Sequence, residues 1–354
     1  MIDTLWCRRM PCPYDDVIDV RSPVEFAEDH VPGAVNLPVL SNAERVEVGT
    51  IYRVDGAFAA RKLGAAYVSA NIGRHLREHF ATKPKEYKPL IYCWRGGQRS
   101  ASLAIVLAQV GWRVTVLRGG YKTYREHVRR ELDLLPGQLT YRLIAGATGT
   151  GKTRLLHALA RQGAQALDLE ALARHRGSLL GGDGPQPSQK GFESQLLTEL
   201  ECYDPDRPVW VEAESNRIGN LHLPASLWRT MRCATGVELR VPIEQRVRQL
   251  LADYAHFVND PDSLRTQLAR ISRRHGARQL SEWSRLIDAG SWGEFVASLL
   301  RIHYDPAYEQ SARKCFPNLT RYRDLHDTTC ATLATLATEL RLESSDTISL
   351  TSPL

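Results

Sequence analysis

Cys93 closes a short apolar run and opens the loop Cys93-Trp94-Arg95-Gly96-Gly97-Gln98-Arg99-Ser100. A cysteine between a buried strand and a helix sits where backbone N–H groups converge at the positive helix end. Gly96 and Gly97 permit the backbone turns this needs, and Arg95 and Arg99 add positive charge. Such a setting favours the thiolate and supports an anion carried on the sulfur. Two other readings stand beside it. A lone cysteine is most often a buried apolar side chain, and Cys93 to Arg99 also has the Cys-x5-Arg spacing of phosphatase loops.

A second loop, Gly146-Ala147-Thr148-Gly149-Thr150-Gly151-Lys152-Thr153, matches G-x-x-x-x-G-K-[ST] in full. The pattern follows an apolar run and opens a helix, which is its proper context. The backbone of Gly146, Thr148, Gly149, Thr150 and Gly151 then cradles a diphosphate. Lys152 reaches the outer phosphate, and the Thr153 hydroxyl holds Mg²⁺. A glycine turn with a solvated lysine is the bland alternative.

The acidic partner of this loop is less distinct. Val209-Trp210-Val211-Glu212 is an apolar strand ending in glutamate where aspartate is usual, followed by Ala213-Glu214-Ser215. Glu212 and Glu214 are candidate metal contacts or, equally, cap and surface residues. A nucleotide motor is therefore not secured, and another diphosphate suits the loop. Asp168-Leu169-Glu170 and His175-Arg176-Gly177-Ser178 follow downstream. Asp168 and Arg176 are candidate phosphate or metal contacts, Arg176 through a bidentate grip; a helix end with a polar loop explains the same residues.

The elements around these loops alternate strand and helix. Asp16 to Val20 reads as a strand, Glu25 to Asp29 as a short helix, and Val31 to Pro38 as a turn and second strand. Residues 41 to 70 look irregular, like an insertion, and a helix follows from Asn71 to Phe80. Pro89 to Tyr92 and Val114 to Leu117 are strands around a helix near Arg99 to Gln109. This order implies a parallel sheet with crossovers. Tyr121 to Leu134 is a basic helix, and Leu135-Pro136-Gly137 marks a boundary. Tyr141 to Ala145 begins a second sheet. Gln186 to Lys190 reads as a loop, and Pro242 to Tyr308 is mainly helical and arginine-rich.

The chain has 354 residues, 43% hydrophobic and 24% charged, which suits two globular domains. Its net charge of +6 permits an RNA partner without demanding one. Lys122, Arg125, Arg129 and Arg130 cluster with Arg118, and Arg273 and Arg274 with Arg265, Arg270 and Arg278. These groups either track RNA phosphates or are ordinary solvated faces. Seven cysteines without a Cys-x-x-Cys pair argue against a disulfide framework or zinc site and suit a reducing cytoplasm. No apolar run approaches membrane-spanning length, and residues 1–16 lack a signal-peptide core.

Asp19-Val20-Arg21-Ser22-Pro23, Glu25-Phe26, His30-Val31-Pro32-Gly33-Ala34, Asn36-Leu37-Pro38 and Val116-Leu117-Arg118-Gly119-Gly120 resemble the opening and closing segments of a rhodanese domain. Joined to the Gly146 loop, Gly119-Gly120-Tyr121-Lys122, His175-Arg176-Gly177-Ser178 and Glu212-x-Glu214-Ser215, the whole resembles the bacterial tRNA 2-selenouridine synthase family. The resemblance implies an α/β chain with a rhodanese-like parallel-sheet domain at 1–135. A P-loop NTPase-like α/β domain with a helical C-terminal part follows at 136–354. It implies an enzyme converting 2-thiouridine to 2-selenouridine at the wobble position of the tRNA anticodon arm. Geranyl diphosphate first alkylates the sulfur, and selenophosphate then supplies selenium. Cys93 is the chalcogen carrier, Mg²⁺ the expected metal and a selenophosphate source the expected partner. No membrane is involved, and a monomer is expected. The alternatives are a sulfurtransferase fused to a small-molecule kinase, and a non-catalytic chalcogen carrier.

Overall fold

The computed structural model describes residues 2–4, 13–176, 184–269 and 271–349, with backbone alone at 2–4, 272, 273, 311–313 and 344–349. Gly177, Ser178, Arg270 and the Arg273 side chain thus lie outside the described residues. The chain divides into two compact units: Met1–Leu132 with Pro187–Thr198, and Asp133–Gln186 with Glu199–Leu354.

The first unit is built on strands β1 (Ile2–Thr4), β2 (Asp16–Asp19), β3 (Val35–Asn36), β4 (Pro89–Tyr92) and β5 (Thr115–Leu117). They form a wholly parallel sheet in the order β1-β5-β4-β2-β3. Every residue of β4 is buried, as a parallel strand covered on both faces requires. The helix Gln98–Val110 sets Leu103, Ala104 and Leu107 against Ile18, Ile91 and Val116. It stops at Gly111, whose φ of 113° is the left-handed conformation that ends helices.

Residues 41–70, expected to be irregular, instead form most of a helical hairpin, Asn42–Val54 and Ala57–Glu78. Ser41 and Glu44 cap the first helix reciprocally, Ser41 N–H donating to Glu44 Oε2 at 2.7 Å. Gly56, at φ 91°, separates the two helices. The first helix buries none of its residues. Val48 and Ile51 are half-buried, but Val46, Tyr52 and Val54 are exposed, and this scatter blurs the apolar stripe by which an amphipathic helix is recognised.

The rhodanese-like opening segment has a physical reason. Arg21 is 1% exposed and donates from Nη2 to Asp19 Oδ2 and to the Asp29 carbonyl, each at 2.6 Å. Its guanidinium lies 3.9 Å from the Tyr121 ring centroid, and the Tyr121 hydroxyl donates to Asp29 at 2.7 Å. One buried cation thus ties the end of β2 to the turn after the short helix Pro23–Glu28 and to the helix Gly120–Leu134. Arg21→Ala leaves Asp19 buried and unpaired, and such losses cost about 3–5 kcal/mol. Urea titration reads this as an earlier first transition; a loss under about 1 kcal/mol would show that the knot carries little of the unit's stability.

The second unit contains β6 (Tyr141–Gly146), β7 (Gln165–Leu167), β8 (Val209–Glu212), the hairpin β9 (Arg217–Ile218) and β10 (Leu221–His222), β11 (Thr235–Arg240) and β12 (Arg321–Asp324). A parallel sheet runs β12-β11-β6-β8-β7. From β6 the chain leaves to one side for β7 and β8, then returns to the other for β11. The crevice outside the strand ends at such a switch is where open α/β sheets bind ligands. Leu155 and Leu159 from helix Lys152–Arg161, with Leu336 and Leu340 from helix Cys330–Ser349, pack in a core with Ile144. The expected helical stretch gathers around Trp283, which is fully buried, with Phe257, Leu264, Phe295 and Leu299.

Gln186 to Lys190, expected as a loop, runs into a helix, Gln189–Leu200. Its first part groups with the first unit although it follows the expected boundary at residue 136. Lys190 pairs with Glu28 at 2.7 Å, Arg125 pairs with Glu193, and Phe192 is fully buried.

Candidate active site

Cys93 follows β4 directly, and its loop is held from below by the start of the helix Gly120–Leu134. Tyr121 N–H donates to the Cys93 carbonyl at 2.8 Å and Lys122 N–H to the Trp94 carbonyl at 3.0 Å. A Cβ on Gly120 would lie 2.2 Å from the Cys93 carbonyl oxygen, so only glycine allows this approach. Gly97 N–H donates to Cys93 Sγ at 3.2 Å, and Ser100 Oγ lies 3.2 Å from the same sulfur. Gly97 is also the N-cap of helix Gln98–Val110. The sulfur therefore sits at a helix N-terminus with two polar partners, an arrangement that stabilises negative charge on it.

The two arginines of this loop part company. Arg95 is exposed. Arg99, expected to lend its charge to the loop, donates from Nη1 to Glu25 Oε2 at 2.9 Å. Burial raises the Glu25 carboxyl, but the hydrogen bond and charge of Arg99 outweigh it and hold the carboxyl below its usual range. Much of Arg99's field is therefore neutralised locally, and the anion support comes from the backbone and Ser100.

The phosphate loop follows β6. Gly146, Gly149 and Gly151 all have positive φ. A Cβ on Gly146 would meet Thr150 Oγ1 at 2.5 Å and the Leu239 carbonyl at 2.9 Å. Thr150 Oγ donates to the Ala147 carbonyl at 2.9 Å, and Lys152 Nζ to the Gly146 carbonyl at 3.0 Å. Arg246 is buried, donates from Nε to the Thr148 carbonyl at 2.8 Å, and is itself gripped by both oxygens of Asp305. It locks the loop to helix Ile243–Asp253. Its type and spacing gave no signal in the sequence.

The loop lines a cleft of about 390 Å³ together with Glu170, Glu212, Glu214 and Arg176. The three carboxylates bring one oxygen each within 4.8 Å of one another. Glu212 is 3% exposed, and its Oε1 has no hydrogen-bond partner; Thr153 hydrogen-bonds its carboxyl. Burial, with the charges of Glu212 and Glu214, pushes Glu170 up to about 9. Burial likewise pushes Glu212 up to about 7, with the charge of Glu214 adding and those of Lys152 and the Thr153 hydrogen bond opposing. Glu214 is raised by burial too. Crowded carboxylates with an orphaned buried oxygen suit a hard divalent cation such as Mg²⁺.

Of the expected contacts, Glu212, Glu214 and Arg176 reach this cleft, and Arg176 also donates to the Asp253 carbonyl at 3.2 Å. Asp168 does other work. It caps helix Leu169–Ala173 through the Ala171 N–H at 2.8 Å and pairs with His157 at 2.7 Å. Its neighbour Glu170 takes the place in the carboxylate cluster. An aspartate ahead of a helix is a ready N-cap, which was the available signal that the second acidic residue was the better candidate.

The tRNA 2-selenouridine synthase AAA domain profile matches residues 139–333, more than half of the chain, and the rhodanese-like domain profile matches residues 4–127. A tRNA 2-selenouridine synthase of Nitrosomonas europaea is 36% identical over 344 residues, covering 84% of this chain and 89% of that protein. The chain belongs to the tRNA 2-selenouridine synthase family. Namesakes from Nitrosomonas eutropha and Shewanella denitrificans are 38% and 33% identical, covering 67% and 83% of this chain and 62% and 87% of theirs.

For a family of tRNA-modifying enzymes, the basic residues matter next. Helix Gly120–Leu134 buries Tyr121, Tyr124, Val128 and Leu132 and leaves Lys122, Arg129 and Arg130 exposed. Arg125 is turned inward instead. It pairs with Glu193 and donates to the Lys190 carbonyl at 3.4 Å, with its side chain 16% exposed. Its partner lies 68 residues away, so its sequence neighbours gave no hint of it. In the second group Arg274 and Arg278 are exposed, while Arg265 is held by Asp262 and Asp288. Among the described residues no helix is long and apolar enough to cross a membrane.

Proposed function

We propose that this cytoplasmic enzyme converts wobble 2-thiouridine to 2-selenouridine in two steps, with the phosphate loop serving the first and the Cys93 loop the second. The observation that carries this reading is the cluster of Glu170, Glu212 and Glu214 beside Lys152, which makes the cleft a cradle for a diphosphate with its divalent cation. Geranyl diphosphate is the donor. The sulfur of 2-thiouridine bonds to C1 of the geranyl group, the C1–O bond breaks, diphosphate leaves and the N3 proton is lost. Lys152 and the loop N–H groups hold the charge growing on the departing diphosphate. Glu170, Glu212, Glu214 and Thr153 are the residues that would hold Mg²⁺, which when bound shields diphosphate charge.

A thiocarbonyl sulfur is a poor leaving group, whereas an S-alkyl group leaves as a thiol. Selenium from selenophosphate is handled at Cys93, where Gly97 N–H and Ser100 Oγ support an anionic chalcogen. The selenide-level selenium of selenophosphate bonds to C2, the C2–S bond breaks and geranylthiol departs with a proton; water then cleaves the P–Se bond, phosphorus leaving as phosphate and N3 regaining its proton. Lys122, Arg129 and Arg130 in the first unit offer charge to the phosphates of the anticodon arm, Arg274 does the same from the second unit, and binding weakens as salt rises. The wobble base is turned out of its stack to react.

The metal reading has a direct test. Each folded carboxylate titrates above its ordinary value, so the cluster stabilises the protein fully only below about 4.5, and that stability drains away as pH rises toward 9. Mg²⁺ with inorganic diphosphate restores it. At about 100 times Kd the gain is about 2.7 kcal/mol, read as a higher Tm at pH 8. Glu212→Gln, itself no less stable without metal, loses most of that gain. An equal Mg²⁺ response in both proteins would remove the carboxylates from the metal site.

A further inference from the structure

A second, smaller cavity of about 50 Å³ adjoins the phosphate cleft within the same unit. The two share Thr148, Leu250, Tyr254 and Tyr304. Beyond those four, the second cavity is walled by Phe257, Val258, Leu264, Trp292 and Phe295 among others, all apolar. Thr148 belongs to the phosphate loop itself. Arg246 fixes its carbonyl, and one turn along the same helix comes Leu250, whose side chain stands 3.1 Å from where a Cβ on Gly149 would be. The slot is therefore held in register with the diphosphate cradle.

From this continuity we infer that the slot takes the leading carbons of the donor's hydrocarbon chain and sets how much of the chain is covered; the inference rests on the diphosphate reading above. A purine in the same place would need several partners for its ring nitrogens and exocyclic groups, and beyond the hydroxyls of Thr148, Tyr254 and Tyr304 and the Trp292 indole the walls are hydrocarbon, which leaves such groups unpaired at a cost. A prenyl chain needs none and gains from every carbon covered. Bound this way, the donor has its diphosphate on Lys152 and its chain between helices Ile243–Asp253 and Trp292–Leu299, with C1 at the junction of the two cavities.

The experiment is calorimetric titration, with Mg²⁺, of inorganic diphosphate, ATP and the thiolodiphosphate analogues of dimethylallyl, geranyl and farnesyl diphosphate. Geranyl binds about 100-fold tighter than inorganic diphosphate, a gain expected from covering several CH₂ groups. ATP gains nothing comparable. Val258→Trp, at a position 38% exposed where a larger side chain is tolerated, fills the slot. It removes at least about tenfold of the geranyl gain while inorganic diphosphate binds as before, consistent with one or two carbons' worth of contact. Trp292→Ala lengthens the slot and shifts the farnesyl-to-geranyl ratio about tenfold toward farnesyl. Geranyl binding no tighter than inorganic diphosphate, or a chain-length preference unmoved in both folded variants, overturns the slot alone. Failure of inorganic diphosphate itself to bind overturns the diphosphate reading and the slot with it.

Discussion

On the proposed function, Lys152→Ala is expected to lower geranyl transfer by about 10²–10³-fold while leaving selenation of an already geranylated RNA near the wild-type rate. The magnitude is that of removing one preorganised donor from a developing anion. Lys152 is the cation of the loop that faces Glu212 and Glu214 as well as the loop carbonyls. Its removal takes a positive charge from a cleft that already crowds three carboxylates, so both donor binding and departure of diphosphate suffer. The two steps separate cleanly if the second is started from S-geranyl-2-thiouridine RNA. Should that RNA fail to be selenated while geranyl transfer survives, the phosphate loop serves selenophosphate instead.

Cys93→Ser gives the opposite pattern. Selenium incorporation is expected to fall by at least about 10³-fold, because serine lacks the soft, polarisable sulfur that the loop presents to the selenium donor. Geranyl transfer stays within about twofold, and geranylated RNA accumulates. The substitution is nearly isosteric, and Gly97 N–H and Ser100 remain as partners, so the loop keeps its shape. Nucleoside analysis of digested RNA reads both products at once. Equal loss of both in a folded variant would contradict the separate assignment of the loops.

How far the sequence carried depends on whether a feature's partners are local. The Cys93 loop and the Gly146 loop were legible because strand, glycines and helix start follow one another within a dozen residues. Arg99 and Arg125 were legible as charges but not as ion pairs, since Glu25 and Glu193 reach them from 74 and 68 residues away. Asp168 was the more conspicuous acid, yet helix capping claims it and leaves the cleft to Glu170. Arg246 looks like any helical arginine until its contact with Thr148 is seen. The helical hairpin at 42–78 escaped because the apolar residues of its first helix are split between a half-buried face (Val48, Ile51) and the exposed side (Val46, Tyr52, Val54). The apolar slot draws its walls from several helices, and no local pattern announces a cavity assembled that way.

In the proposed function one chain performs an ordered pair of reactions on one sulfur. Mass spectrometry of a 2-thiouridine anticodon stem-loop tests it most directly. The RNA is incubated first with geranyl diphosphate and Mg²⁺, then with selenophosphate. The expected result is complete conversion to the S-geranyl species, followed by its replacement by 2-selenouridine with release of geranylthiol. Selenouridine formed from selenophosphate alone, with no geranyl donor added at any stage, would contradict the account.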